Sequence, residues 1–140
     1  LLGSRGLGDV YKRQLLGRPY TFSGKVVYGN QLGRTIGIPT ANLWMPKQRL
    51  PDQGVFAVKC KLVDKHLYGI ANMGTRPTVD GESPVLEVHL FDFDKNIYGQ
   101  RLEIEFIKKI RDERKFDNIN LLKQQIHKDI DIAKHTLKLI

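Results

Sequence analysis

The sequence predicts an all-β body closed by one C-terminal amphipathic helix, and three observations carry that prediction. Apolar and polar residues alternate from Tyr20 to Glu105, with turn residues at short intervals, the pattern of a small antiparallel sheet or barrel. After Phe116 the apolar period changes from two to 3.6. At 140 residues the chain is near the common size of one domain. A chain of that length buries about 68% of its unfolded surface, enough for a real core.

Each element follows from its residues. Residues 1–14, LLGSRGLGDVYKRQ, have three glycines and no sustained period, so they read as a flexible leader, with the folded domain over 15–140. Residues 55–63 form a strand with Phe56, Val58, Cys60 and Leu62 on one face and Lys59 and Lys61 on the other. Asp64 and Lys65 make a hairpin turn into a strand over 66–71. In 85–91, Leu86, Val88 and Leu90 face the core, which leaves Glu87, His89 and Phe91 together on the opposite face. Over 102–107, Leu102, Ile104 and Phe106 point inward and Glu103 and Glu105 outward. The helix carries Ile119, Leu122, Ile126, Ile130, Ala133 and Leu137 on one stripe, with Asp117 or Asn118 as its N-cap.

Composition narrows the function classes. A hydrophobic fraction of 41% and a charged fraction of 27% are those of an ordinary globular protein. No apolar run reaches membrane-spanning length, and a single cysteine, Cys60, excludes an intrachain disulfide or a multi-cysteine metal site. A cytoplasmic location without a membrane partner is therefore expected. The net charge of +8 favours an anionic partner, yet much of it comes from residues 1–20 and from the run KKIRDERK at 108–115. A basic nucleic-acid-binding barrel would alternate exposed aromatics with bases along adjacent strands. Here Lys59 and Lys61 alternate with core residues and the aromatics are scattered, so no nucleic-acid partner is expected.

Several segments could carry chemistry. Residues 29–42, GNQLGRTIGIPTAN, hold three glycines, Arg34 and a threonine, a loop whose backbone can approach phosphate oxygens. It is not a P-loop: the spacing is one residue short, arginine stands in the lysine position, and Pro39 blocks the following helix. A plain surface turn has the same composition. Thr40 and Asn42, two apart, offer oxygens to one side in extended backbone and would suit Mg²⁺ carrying a nucleotide. Glu87, mid-strand among apolar neighbours, suits a general base for phosphoryl transfer to an alcohol; a solvated outer face of an edge strand explains it equally. Asp92, Asp94, Asn96 and Glu103 imitate an EF-hand spacing, but Ile97 replaces the required glycine and the flanks have strand periodicity, so a β-hairpin turn is expected instead. His127 and His135 read as solvated helix residues. KKIRDERKF is either a solvated connection or an anion-binding rim with Phe116 as a stacking surface, and Arg111 and Arg114 could meet one ligand only if the connection curls.

Taken together the segments resemble the riboflavin kinase family, the module that in bacteria usually forms the C-terminal half of the bifunctional riboflavin kinase and FAD synthetase. The resemblance lies in GRPY at 17–20, SGKVVYGNQLGRTIGIPTANL at 23–43, GVFAV at 54–58, GIANMGTRPT at 69–78, LEVHLFDF at 86–93, IYG at 97–99 and RDERKFDN at 111–118. It implies a six-stranded antiparallel Greek-key barrel with a C-terminal helix. It also implies transfer of the γ-phosphate of ATP, with Mg²⁺ or another divalent cation, to the 5′-hydroxyl of riboflavin. Carried over position by position, Thr40 and Asn42 match the positions at the metal and nucleotide phosphates. Gly29, Arg34, Leu90 and Tyr98 match ATP-binding positions, Glu87 the catalytic carboxylate, and Arg111, Arg114 and Phe116 the flap over the flavin. An N-terminal FMN adenylyltransferase domain usually precedes this module, so the chain alone is expected to make FMN and not FAD. The alternative with the same fold is a flavin-binding barrel without kinase activity.

Overall fold

The structure, a computed structural model, describes residues 20–28, 36–46 and 52–140. The expected leader over 1–14 lies outside the described residues. Six strands and one helix follow in order: β1 (Tyr20–Val27), β2 (Ala41–Leu43), β3 (Gly54–Leu62), β4 (Lys65–Thr78), β5 (Gly81–Leu90), β6 (Arg101–Arg111) and α1 (Ile119–Thr136). The strands close into an antiparallel barrel in the order β1-β2-β5-β4-β3-β6. Successive strands β3, β4 and β5 are hairpin neighbours, while β2 returns beside β5 and β6 beside β3, so two Greek keys overlap. Closure leaves no sheet edge.

The interior is made by the alternation read above. Phe56, Val58, Met73, Leu86, Leu102 and Phe106 are among the fully buried side chains. Phe106 anchors them, edge-on to Phe56 with centroids 5.3 Å apart and tilted against Tyr20 at 5.4 Å. Strand β3 starts differently, because residues 54–58 are all buried. Phe56 and Val58 fill the barrel, whereas Val55 and Ala57 point outward into a second cluster with Ile70, Phe91, Ala133 and Leu137. Register shifts between β3 and β6 at Val55/Phe56 and Ala57/Val58 accompany this two-sided burial.

Helix α1 supplies the outer cover. Asn118 caps it, its side-chain oxygen accepting from the Leu121 N–H at 2.9 Å, so the second of the two expected caps is the one used. The stripe buries Ala133 and Leu137, with Ile126 and Ile130 packed beside them. Phe91, the residue after β5, packs in the outer cluster under the helix, with the Lys134 ammonium 5.3 Å from its ring centroid.

Three expectations need correction. The β3–β4 turn is formed by residues 63 and 64, and Lys65 already pairs with Leu62, because Val63 takes the left-handed conformation (φ 56°). Strand β4 runs past residue 71 to Thr78, through Gly74 and Pro77, paired along its length with β5. Residues 91–100 are not a β-hairpin turn, since β5 and β6 are not neighbours in the barrel. They cross one end of it and are tied to β1 by Gly99 N–H donating to the Val26 carbonyl at 2.9 Å and Val26 N–H donating to Gln100 at 2.8 Å. Glu103 is a β6 residue opposite Ser23 and Lys61, apart from the acidic residues of that crossing. No helix among the described residues is long and apolar enough to cross a membrane.

Candidate active site

Strand period and register build the site. On the outer face of the barrel Asn42 of β2 stands opposite Glu87 of β5, and Glu87 opposite Asn72 of β4, so three side chains form one row across three strands. Strand β5 is therefore flanked on both sides, and the edge-strand reading of Glu87 does not hold. One step along, His89 Nδ1 lies 2.8 Å from the Pro39 carbonyl oxygen. A carbonyl only accepts, so Nδ1 carries the proton and ties the segment before Thr40 to β5. On its other side β5 is approached closely by β4 at Gly69, where a Cβ would collide with the His89 carbonyl oxygen.

Above the row opens a cavity of about 490 Å³, a size suited to an organic ligand. Thr40, Glu87 and His89 line it, together with the apolar Ile70 and Ile126 and with Arg111 and Phe116 from the end of β6 and the connection to α1. Burial pushes the Glu87 carboxyl above its ordinary value; the Arg76 charge opposes this and the Glu113 carboxylate adds to it. Burial also lowers His89, so its ring stays neutral near pH 7. Glu113 is raised in the same way, by its own burial, with Arg111 opposing.

The β6–α1 connection does curl. Arg111 and Arg114 both approach the Phe116 ring, with guanidinium carbons 5.6 and 4.9 Å from its centroid. Arg111 is also clamped from the helix: its Nε donates to Asp129 Oδ1 and Oδ2 at 3.0 Å each, and Nη2 lies 2.9 Å from Oδ2. Gln125 donates to Asp129 Oδ1 at 3.0 Å and accepts from Arg114 at 3.3 Å.

A second, smaller cleft of about 140 Å³ opens on the far side of Thr40, which lines both. Asn42, Leu90 and Tyr98 line it as well. Leu90 belongs mainly to the barrel core. Tyr98 is exposed and stacks on Tyr28 with centroids 3.7 Å apart. The structure thus gathers Thr40, Glu87, Arg111, Arg114 and Phe116 around one cavity, and Thr40, Asn42, Leu90 and Tyr98 around the other. Gly29 and Arg34 lie outside the described residues. His89, Asn72, Glu113, Gln125 and Asp129 are at the site without having been singled out for it. Of these, Asp129 left a signal: it falls on the apolar stripe of the helix, seven residues after Leu122.

A model of the riboflavin kinase family matches residues 16–137. The chain belongs to that family. Among curated relatives, the bifunctional riboflavin kinase/FMN adenylyltransferase of Haemophilus influenzae is 54% identical over 121 residues, covering 86% of this chain and 39% of its own length. The chain spans about two fifths of the length of the curated relatives it matches. A crystal structure named as a macrolide-efflux protein from Streptococcus pneumoniae superposes with a TM-score of 0.85 at 34% identity, over 95% of this chain and 44% of that one. The crystal structure of riboflavin kinase from Trypanosoma brucei has a TM-score of 0.64 at 21% identity, over 86% of this chain and 80% of that one. That second likeness is one of fold, and the six-stranded barrel with its C-terminal helix agrees with it.

Proposed function

We propose that this riboflavin kinase family member transfers the γ-phosphoryl group of ATP to the 5′-hydroxyl of riboflavin, giving FMN and ADP. The observation that carries the reading is the pair of cavities that Thr40 lines in common, with a carboxyl of raised pKa, Glu87, lining the larger one. A phosphoryl donor and an acceptor alcohol need such an arrangement, because this chemistry is mostly positioning and charge stabilisation.

In this reading the flavin ring occupies the larger cavity against Phe116, Arg111 and Arg114, and the nucleotide follows Asn42, Leu90 and Tyr98. Glu87 accepts the hydroxyl proton as that oxygen bonds to the γ-phosphorus and the bond from the γ-phosphorus to the ADP oxygen breaks. A raised pKa makes it a better base. Thr40 and Asn42 would hold Mg²⁺ or another divalent cation, and their hydroxyl and amide oxygens fit a hard ion. Among the described residues no group of three or more His, Cys, Asp or Glu could hold an ion, so phosphate oxygens and waters would complete its shell. Once bound, the ion would counter charge on the phosphates.

The relatives' names join a riboflavin kinase to an FMN adenylyltransferase. The kinase half is carried over, because the part of them that this chain matches is what the riboflavin kinase family model describes. The test is chromatography of the purified chain incubated with riboflavin, ATP and Mg²⁺. FMN is expected. Riboflavin bound but never phosphorylated would replace the reading with a flavin-binding barrel.

A further inference from the structure

Helix α1 presents one polar side chain to the interior of its packing, and that side chain is fully buried: Asp129 has 0% exposure in a helix otherwise buried through Ala133 and Leu137. An isolated buried carboxylate is costly, and only a close partner offsets it. Asp129 has two. It takes a bidentate grip on Arg111 and a hydrogen bond from Gln125, whose own oxygen receives Arg114. Both guanidinium groups at the Phe116 ring are thereby referred back to one helix position. Arg111 is spent further on the Asp112 carbonyl, which it meets at 3.1 Å, so its fork is fixed at both ends.

We infer that Asp129 is a positioning residue for the flavin: through Arg111 directly, and through Gln125 to Arg114, it holds the rim of the larger cavity in the shape that receives the ring. The inference rests on the proposed flavin site. It separates the two substrates, because neither Asp129 nor Gln125 lines the smaller cleft, where the nucleotide is placed. The helix then does two things with one face. Its Ala133 end is held to the barrel by apolar burial, and its Asp129 turn grips Arg111 at the end of β6, where the barrel gives way to the rim.

The experiment measures riboflavin binding by quenching of flavin fluorescence, together with KM for each substrate and kcat, for the wild type, Asp129→Asn and Gln125→Leu. Asp129→Asn keeps the shape and removes the charge and one acceptor, so riboflavin Kd and KM should rise about tenfold, as for loss of a charge-assisted pair. KM for ATP should stay within about twofold, since each 1.4 kcal/mol is tenfold and no nucleotide-side contact changes. Gln125→Leu keeps the Arg111–Asp129 pair and removes the Gln125 bonds to Arg114 and to Asp129, so a smaller rise in riboflavin Kd and KM, about threefold, is expected. That variant keeps the test open if Asp129→Asn does not fold. A lower Tm with unchanged riboflavin Kd in every folded variant would reduce Asp129 to a structural ion pair and overturn the inference. Equal losses for both substrates would overturn it too. If the wild type neither binds riboflavin nor makes FMN, the kinase reading falls first and takes this inference with it; a wild type that does both, with variants that match it, sinks the inference alone.

Discussion

The inner and outer faces of β5 and its neighbours are made by the same few residues in alternation, and they obey opposite rules. Inward, Leu86, Val88 and Leu90 sit among close-packed apolar side chains. Outward, Glu87 and His89 are half-buried, each holding a proton affinity shifted by that burial. The first face gains stability from what it removes from water; the second gives some stability up to hold polar groups where water is scarce. The difference teaches that the barrel is the frame and the site is a set of partly desolvated polar groups laid across its outside.

The sharpest way to separate the faces is Glu87→Gln. If Glu87 is the general base we propose, kcat should fall about 10²–10⁴-fold, measured by FMN formation. Stability should move the other way. Burial raises the folded pKa of Glu87 above its unfolded value, so the native state holds that proton more tightly, and stability falls as pH rises through the interval between the two. The cost persists at neutral pH, and the amide removes it, so Tm at pH 7 should rise. In the proposed role the same shift should place the acid limb of the wild-type rate profile, with turnover lost as pH falls through the raised value. A Glu87→Gln enzyme with wild-type kcat would break the comparison at its centre.

Phe106→Ala is the converse. It removes a fully buried ring that touches Phe56 and Tyr20, so unfolding free energy should drop by about 3–5 kcal/mol in denaturant titration. Activity per folded molecule should change little. A smaller effect is expected from Thr40→Ala, which removes one oxygen from the wall common to both cavities: calorimetry should show ATP affinity weakened about tenfold in the presence of Mg²⁺. Unchanged ATP affinity would take Thr40 out of the nucleotide site and leave the smaller cleft without its proposed occupant.

How much of this was legible depended on the range of each interaction. Alternation in 55–63, 85–91 and 102–107 is local, so the faces of β3, β5 and β6 could be read directly. The 91–100 connection could not, because whether two consecutive strands are neighbours depends on β1 and β3, far away in the chain. Strand β4 was cut short for a related reason: Gly74 and Pro77 have poor strand propensity, and only pairing with β5 holds them extended. At the site, Thr40, Asn42 and Glu87 were visible as residue types in suggestive places, while the row that joins Asn42 to Glu87 and Asn72 is a product of register. Asp129 shows the other kind of blindness. Its place on the apolar stripe marks it as buried, but what it does there depends on Arg111, eighteen residues away.

The row of Asn42, Glu87 and Asn72 has one more consequence. Since side chains alternate, a slip of a single residue in β5 would carry Glu87 into the interior and expel Leu86 and Val88 at the same stroke. A partly misaligned site is then not a feeble catalyst but a collapsed barrel. Quality control of the chemistry is thus delegated to folding: a population of these molecules should contain competent copies and unfolded ones, with almost nothing graded in between.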